Sequence, residues 1–218
     1  MSVISLINEK GGVGKTTSAI CLSDYLIKDG YSVALVDADP RHSACDWNAV
    51  ASENENDTPL TVGLFHENID LEIKKLKENY DYVIVDSMSS FVDSKRSRII
   101  GSLLRASDHI FIPVQPSALD FWATKELVEM IKYRQDNYGG EPKAYFYANM
   151  VRENVKLYKE LREDMEQLPF YLLKNALPLA EAFRHTIRIG KTPLSLNPSE
   201  KSRKAVVLWA EEIMEKTK

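Results

Sequence analysis

The sequence predicts an α/β domain with a mostly parallel, twisted sheet and helices on both faces. Short apolar runs bounded by turn-forming residues alternate with amphipathic segments along nearly the whole chain. The runs are apolar on both sides, as in strands that are covered by helices above and below. No repeat or linker interrupts the alternation, and 218 residues are enough for one well-packed domain but short for two. We therefore expect a single domain over residues 1–218.

The elements follow in order from these patterns. Each strand is a short apolar run, and each helix is a segment with apolar residues three or four positions apart. The glycine-rich loop after the first strand leads into a helix that ends before Gly30. Strands are predicted at Val3–Asn8, Val33–Asp37, Thr61–Phe65, Tyr82–Asp86, His109–Val114 and Lys143–Asn149. Helices are predicted at Thr17–Lys28, Asn68–Asn79, Ser94–Ala106, Ala118–Asp136 and Ala205–Lys216.

Composition excludes several classes of protein. Nine Gly, nine Pro and two Cys among 218 residues exclude collagen-like, disordered and disulfide-scaffold chains. No apolar run approaches the roughly 18 residues that a membrane span needs, and the N-terminus does not resemble a signal peptide. Cys21 and Cys45 are isolated, which fits a reducing cytoplasm, and we expect Cys21 to be a small buried residue of the first helix.

Charge is spread unevenly over the chain. The net charge is −4, but residues 51–81 carry eight acidic and three basic residues. Residues 174–204 carry seven basic and two acidic residues. Such a segment can bind a polyanion, although composition alone favours an ordinary solvated surface.

The loop after the first strand has the composition of a phosphate-binding loop. Its glycines let backbone N–H groups converge on an anion, and the next helix directs its positive end to the same place. Lys15 is expected to reach the β- and γ-phosphates, and the Thr16 hydroxyl is expected to bind Mg²⁺. The general pattern requires glycine at position 9, where this chain has Glu9. The loop comprises Gly11, Gly12, Val13, Gly14, Lys15, Thr16 and Thr17.

Acidic residues stand at the ends of two predicted strands, where ligands bind in sheets of this kind. Asp86 ends an unbroken apolar strand and suits the metal-side carboxylate of a nucleotide triphosphatase. Asp39 suits a carboxylate that orients the attacking water, and Asp37 is expected to help to position it. Each is also a residue type that commonly forms turns.

These motifs resemble those of the ParA/MinD ATPases, in the ParA branch that includes short ParF-like partition ATPases. Lys10–Thr17 resembles their deviant Walker A loop, with Lys10 as its second lysine. Asp37–Pro40 and Tyr82–Asp86 resemble the next two motifs, and Ile112–Trp122 resembles the segment beside the adenine pocket. The resemblance implies a P-loop NTPase fold of the deviant Walker A (SIMIBI) type.

The resemblance further implies an ATPase that uses ATP, ADP and Mg²⁺ and forms a homodimer with ATP. Lys10 would reach the partner's phosphates, which stabilises two facing nucleotides only when both subunits are present. Asp39 would serve hydrolysis, and Asn149 would contact adenine. Pro113 and Asp120 would lie at the nucleotide-bound interface. Asn149 is also a plausible turn residue, and Asp120 a helix cap.

Two positions depart from the family pattern. Arg41 follows Pro40 where the family usually has glutamine. Ser87–Ser90 replaces a segment of the Thr-Pro-Pro type after the Walker B strand. The departures concern the geometry around the hydrolytic site rather than the metal-side carboxylate.

Partition ATPases of this family bind DNA without sequence preference through basic residues near the C-terminus. We therefore expect a nucleoid-associated protein, with a separate ParB- or ParG-like centromere-binding partner that stimulates hydrolysis. The first strand begins at Val3, so we expect no N-terminal helix-turn-helix domain. The residues that would contact DNA are Arg184, Arg188, Lys191 and Arg203.

Two alternatives use the same ATP switch. A MinD-like protein would cycle on a membrane through a basic C-terminal helix, but the helix here carries Glu211, Glu212 and Glu215 opposite its apolar side, which favours core packing and no membrane partner. A relative that positions carboxysomes or similar cargo would share both ATPase activity and DNA binding. Iron–sulfur carriers, bacterial tyrosine kinases and dethiobiotin synthetase fit the cysteine, tyrosine and loop patterns poorly.

Overall fold

The computed structural model describes residues 1–89, 94–116, 124–152, 156–165 and 168–218. Its centre is a seven-stranded sheet of order β3-β2-β4-β1-β5-β6-β7. Every pair of neighbouring strands is parallel, so the predicted α/β class is confirmed. The strands are β1 (Ser2–Leu6), β2 (Val33–Ala38), β3 (Leu60–Gly63), β4 (Tyr82–Ser87), β5 (His109–Val114), β6 (Lys143–Ala148) and β7 (Tyr171–Leu172).

Eight α-helices connect or follow these strands in the part of the chain that the structure describes. One short 3-10 turn, Pro193–Ser195, separates the last two helices. The helices are α1 (Lys15–Lys28), α2 (Ser43–Glu53), α3 (Ile69–Lys77), α4 (Ser94–Ala106), α5 (Lys125–Asn137), α6 (Lys156–Met165), α7 (Glu181–Arg188) and α8 (Lys201–Lys216).

The sheet separates two apolar cores. One contains buried residues of α3, α4 and α5, including Ile73, Leu103 and Ile131. The other contains buried residues of α1, α2 and α8, including Leu22 and Trp209. The strands contribute alternate side chains to the two cores, as expected for a sheet that is covered on both faces.

Most predicted elements are present, with boundaries that differ by a few residues. The first strand ends at Leu6 rather than Asn8, because the chain turns there into the glycine-rich loop. The helix over Ser94–Ala106 has the predicted bounds. The beginning of the predicted helix Ala118–Asp136, with Asp120, lies outside the described residues, and α5 covers the rest. Four elements were not predicted from the sequence: α2, α6, α7 and β7.

The C-terminal helix packs into the core, as predicted, but of its three glutamates only Glu211 and Glu215 lie exposed, and the prediction that Glu212 faces outward is wrong. Trp209 of α8 is fully buried. Glu212 is also buried, and its carboxylate accepts hydrogen bonds from the backbone amides of Lys174 and Asn175, both at 2.8 Å. This contact ties α8 to the segment that follows β7. Among the helices of the described residues, none is long and apolar enough to span a membrane.

Candidate functional site

The loop between β1 and α1 has the backbone of an anion-binding turn. Gly12 and Gly14 adopt left-handed conformations, with φ of 76° and 89°. Gly14 immediately precedes α1, so the positive end of that helix faces the loop. A Cβ atom at Gly14 would lie 2.3 Å from Nδ2 of Asn149. Glycine is therefore required here both for the φ angle and for the close approach of a second loop.

Lys15 is the first residue of α1, and its side chain folds back over the loop. Its Nζ donates a hydrogen bond to the carbonyl oxygen of Lys10, at 3.0 Å. Burial lowers the pKa of Lys15 to about 8, although the carboxylates of Asp86 and Asp39 act in the opposite direction. A buried ammonium close to the loop amides is suited to pairing with a polyanionic ligand.

Asp86 lies in β4, beside β1, and its side chain is fully buried. Both carboxylate oxygens are enclosed without a hydrogen bond of normal geometry to the described residues. Burial raises the pKa of Asp86 to about 7, while the nearby Thr16 hydroxyl and Lys15 ammonium oppose that shift. A buried carboxylate without a partner, next to a hydroxyl, fits the donor set of a Mg²⁺ ion.

Asp37 lies near the end of β2, and its carboxylate binds backbone amides of the residues that follow. One carboxylate oxygen accepts a hydrogen bond from the Asp39 amide, at 3.1 Å. The other accepts hydrogen bonds from the amides of Ala44 and Cys45, at 2.8 and 3.1 Å. Asp37 therefore fixes both the backbone of Asp39 and the first turn of α2.

Asp39 is buried and forms a forked ion pair with Arg41. The Nε and Nη2 atoms of Arg41 donate to the two carboxylate oxygens at 3.1 and 2.8 Å. Burial alone would raise the pKa of Asp39, but the hydrogen bonds and charge of Arg41 outweigh it, and the pKa is lowered. The Arg41 Nη2 also lies 3.3 Å from the Ser89 hydroxyl, which links the loops after β2 and β4.

Residues after β5 and β6 close the glycine-rich loop from the other side. The Nδ2 of Asn149 donates to the carbonyl oxygen of Val13, at 2.7 Å. The Nε2 of Gln115 donates to the carbonyl oxygen of Gly12, at 3.1 Å. Asn8 binds the carbonyl oxygen of Pro113, at 2.7 Å. These contacts join loops that are more than 100 residues apart in the sequence.

Two neighbouring cavities of about 370 Å³ each lie along this edge of the sheet. One is lined by the loop and by Lys15, Thr16, Asp39 and Arg41. The other extends from Gly14 and Thr17 past Asn149 to apolar residues of the segment 177–187. The charged cavity suits phosphates, and the more apolar one suits a planar base. The side chains lining the apolar end include Leu177, Leu179, Phe183 and Ile187.

The four basic residues expected to contact DNA do not share one environment. Arg184 and Arg188 are exposed on α7 but also line the apolar cavity. Lys191 is exposed just beyond α7. The Nη1 of Arg203 donates to the carbonyl oxygen of Leu196 at 2.6 Å, so Arg203 also fastens the start of α8.

The structure thus brings most of the predicted site residues to one sheet edge. Lys10 contributes its backbone carbonyl to Lys15, and Pro113 is buried beneath the loop. Two features of the site were not predicted from the sequence: Asn8, which ties the loop to β5, and the apolar side chains of α7. The role of Asn8 could have been predicted from its residue type, because a buried side-chain amide commonly forms a hydrogen bond with the backbone.

The chain is similar to known nucleotide-binding proteins in sequence and in fold. A family model described as the CobQ/CobB/MinD/ParA nucleotide binding domain matches residues 4–194. Maintenance of carboxysome distribution protein A from Halothiobacillus neapolitanus is 29% identical over 201 residues, which cover 91% of this chain and 89% of that protein. The chromosome-partitioning ATPase Soj from Thermus thermophilus is 52% identical over 50 residues, or 23% of this chain and 20% of that protein.

A similar solved structure is that of an aspartate-to-alanine variant of McdA from Cyanothece in complex with ATP. It matches with a TM-score of 0.73 and 14% sequence identity, covering 98% of this chain and 96% of that chain. This likeness extends over nearly the whole of both chains and concerns the fold.

Proposed function

The chain belongs to the CobQ/CobB/MinD/ParA family of nucleotide-binding domains, and from this premise we propose that it is a partition-type ATPase. In this proposal it dimerises on Mg-ATP and binds DNA without sequence preference. Hydrolysis, stimulated by a ParB- or ParG-like partner protein, then releases it from DNA.

One observation carries the proposal. Lys15, Thr16 and Asp39 line one cavity at the glycine-rich loop, and this cavity continues into an apolar pocket. Asp86 is buried close enough to these three residues to interact with them electrostatically. A glycine-rich loop alone indicates only an anion site. The buried carboxylate beside Thr16 adds a place for a metal ion, and Asp39 adds a second acidic group facing the same space.

The residues present fit both a nucleotide and its metal ion. The amides of Gly11–Lys15 and the Lys15 ammonium would hold the phosphates, and Thr16 and Asp86 would hold Mg²⁺, whose charge would offset that of the phosphates. Thr17, Asn149 and the apolar wall of α7 border the pocket for the base. Asn149 also supports the loop through Val13, so one residue would serve both the loop and the base.

Lys10, at the start of the loop, is the residue that links ATP binding to dimerisation in this proposal. In this proposal its side chain reaches the phosphates of the partner subunit's nucleotide, with Pro113 near the same interface. Each site is then complete only in the dimer. Two basic surfaces in one dimer bind DNA more tightly than one, because the phosphate contacts are doubled.

Fluorescence anisotropy of a random-sequence duplex tests the proposal, with ATP–Mg²⁺, with ADP–Mg²⁺ and without nucleotide. We expect binding only with ATP, weakening as salt is raised, and a dimer in light scattering under the same condition. A protein that dimerises with ATP yet ignores DNA would contradict the partition role while leaving the ATP switch intact.

Lys191→Glu is expected to weaken ATP-dependent DNA binding by about tenfold at low salt, because a phosphate contact becomes a repulsion. ATP affinity should stay unchanged, since Lys191 lies outside the lining of both cavities. Lys132→Glu is the matched control, with the same charge change on α5 beneath the opposite face of the sheet. Equal DNA affinity of the two variants would place the DNA surface elsewhere.

Arg41→Gln is expected to raise unstimulated ATP hydrolysis roughly fivefold, because a forked ion pair of about 1 kcal/mol no longer occupies Asp39. Turnover at saturating Mg-ATP measures the effect. Arg105→Gln, which breaks an arginine–aspartate pair with Asp70 between α3 and α4, is the control. An unchanged or lower rate for Arg41→Gln would mean that the ion pair does not restrain Asp39.

Cargo positioning is a second candidate, favoured by the similarity to the carboxysome distribution protein over 91% of this chain. It would use the same ATP switch and the same DNA surface. The two roles differ in the protein that stimulates hydrolysis, a centromere-binding protein or a cargo adaptor, so adding each to the ATPase assay distinguishes them.

A further inference from the structure

A carboxylate, an imidazole and a thiol come together where β2 leads into α2. One ligand atom each of Asp37, His42 and Cys45 lies within 4.8 Å of the other two. Asp37 is buried, Cys45 is half-buried and His42 is exposed. In the sequence this cluster flanks Asp39 on both sides, and its residues do not line either of the two nucleotide-side cavities.

The backbone holds the three side chains in place. His42 has φ of 54°, in the left-handed region, directly before α2. The end of β3 leaves space for its ring, because a Cβ atom at Gly63 would lie 2.8 Å from Nδ1 of His42 and 3.6 Å from Sγ of Cys45. The Asp37 carboxylate is fixed by two amides of α2.

We propose that Asp37, His42 and Cys45 bind a divalent cation of the zinc class, with the remaining position open to water. A mixed sulfur, nitrogen and oxygen donor set is typical of zinc. Zinc bonds of about 2.0–2.3 Å place tetrahedral ligand atoms about 3.3–3.8 Å apart. The cluster must therefore contract by up to about 1.5 Å, and rotation of the exposed His42 ring can supply much of that.

Two features set the expected strength of binding. Three protein ligands give weaker binding than the four of a closed structural zinc site. The positive end of α2 also disfavours a cation, which the Asp37 charge offsets. On binding, the Cys45 thiol releases its proton to solvent and the thiolate binds the metal. We expect affinity in the micromolar range.

A bound ion would connect β2 to α2 on both sides of Asp39 and Arg41. The ion would thereby hold the loop between β2 and α2 in one conformation. This is the loop that carries Asp39, the proposed hydrolytic residue. The metal site itself does not depend on that proposal, because it is tested in the protein without nucleotide.

Cobalt(II) titration of the untagged, metal-free protein tests the site, with excess Mg²⁺ and no nucleotide. We expect a saturable thiolate-to-cobalt absorption band at one ion per chain, removed by added zinc. Cys45→Ser should abolish the band. His42→Ala should weaken cobalt binding by about tenfold or more, because losing even a residue that only hydrogen-bonds a metal ligand typically lowers metal affinity by about 10- to 100-fold.

Two controls separate this cluster from other thiols and imidazoles. Cys21→Ala removes the thiol buried in α1 and should leave the band unchanged. His66→Ala removes an exposed imidazole paired with Glu72 and should do the same. Absence of the band in the wild-type protein, or its survival in Cys45→Ser, overturns the proposal. If Cys45→Ser does not fold by circular dichroism, undiminished cobalt binding by His42→Ala overturns it instead.

Discussion

Lys15→Ala is expected to weaken ATP binding by roughly 100-fold or more, because charge-assisted hydrogen bonds contribute about 1.5–3 kcal/mol each. Lys15 is the buried cation of the glycine-rich loop, and its Nζ is already held over that loop by the Lys10 carbonyl. No other lysine lies among the residues that line the charged cavity in the described part of the chain. Calorimetric titration with Mg-ATP measures the loss.

The variant should remain folded, since it removes a buried charge whose desolvation is unfavourable. Circular dichroism and thermal unfolding without nucleotide check this point. Lys28→Ala is the matched control, because Lys28 lies at the far end of the same helix and pairs with Asp24. If Lys15→Ala binds ATP as well as Lys28→Ala does, the loop is not the phosphate site.

Asp39→Ala is the second large effect that we expect. It should lower the rate of ATP hydrolysis by about 100-fold or more, the usual contribution of a group that orients or deprotonates a nucleophile. ATP affinity and the ATP-dependent dimer should persist, because Lys15, Thr16 and Asp86 are unchanged. Single-turnover hydrolysis and light scattering measure the two quantities separately.

Asp39→Asn extends the test, because the amide retains one acceptor for Arg41 but has no negative charge. Asp46→Ala, an exposed acid in the first turn of α2, is the control. Hydrolysis by Asp39→Ala at the wild-type rate would assign the attacking water to another group. Loss of the dimer in both Asp39 variants would instead make Asp39 part of the interface.

The buried strands were predictable because their signal is local. Residues 82–86 are apolar up to Asp86, and both neighbours of β4 in the sheet are parallel strands. A short run that is apolar on both sides is typical of a buried parallel strand and fits few other structures. The glycine-rich loop was predictable for the same reason, since its chemistry lies in consecutive residues. The family resemblance rested on these local motifs.

The missed elements depend on distant partners. β7 has two residues and exists through its pairing with β6. α2 begins after His42, without a side-chain cap from that residue. Its cap comes instead from Asp37, which lies in a strand. No pattern of neighbouring residues predicts either β7 or α2.

The same reason explains what was missed in the candidate site. The contact of Asn149 with Val13 joins residues 136 positions apart. The ion pair of Arg41 with Asp39 is local, but its geometry depends on the turn that Asp37 holds. The residue types at strand ends were therefore enough to predict the candidate site. The partners of those residues could be found only in the folded structure.

Because β1 lies at the centre of the sheet, the two halves of the chain contribute different parts of the candidate site. β4 and β2, with Asp86 and Asp39, lie on one side of it, and β5, β6 and β7 lie on the other. The proposed hydrolytic groups thus all come from the first 87 residues, whereas the pocket for the base is built largely from residues 149–188. With Asn149 kept in place to hold the loop, exchanging residues 177–183 for those of a relative should alter selectivity among nucleobases. The rate of hydrolysis should be spared, because those residues line the apolar cavity and not the charged one.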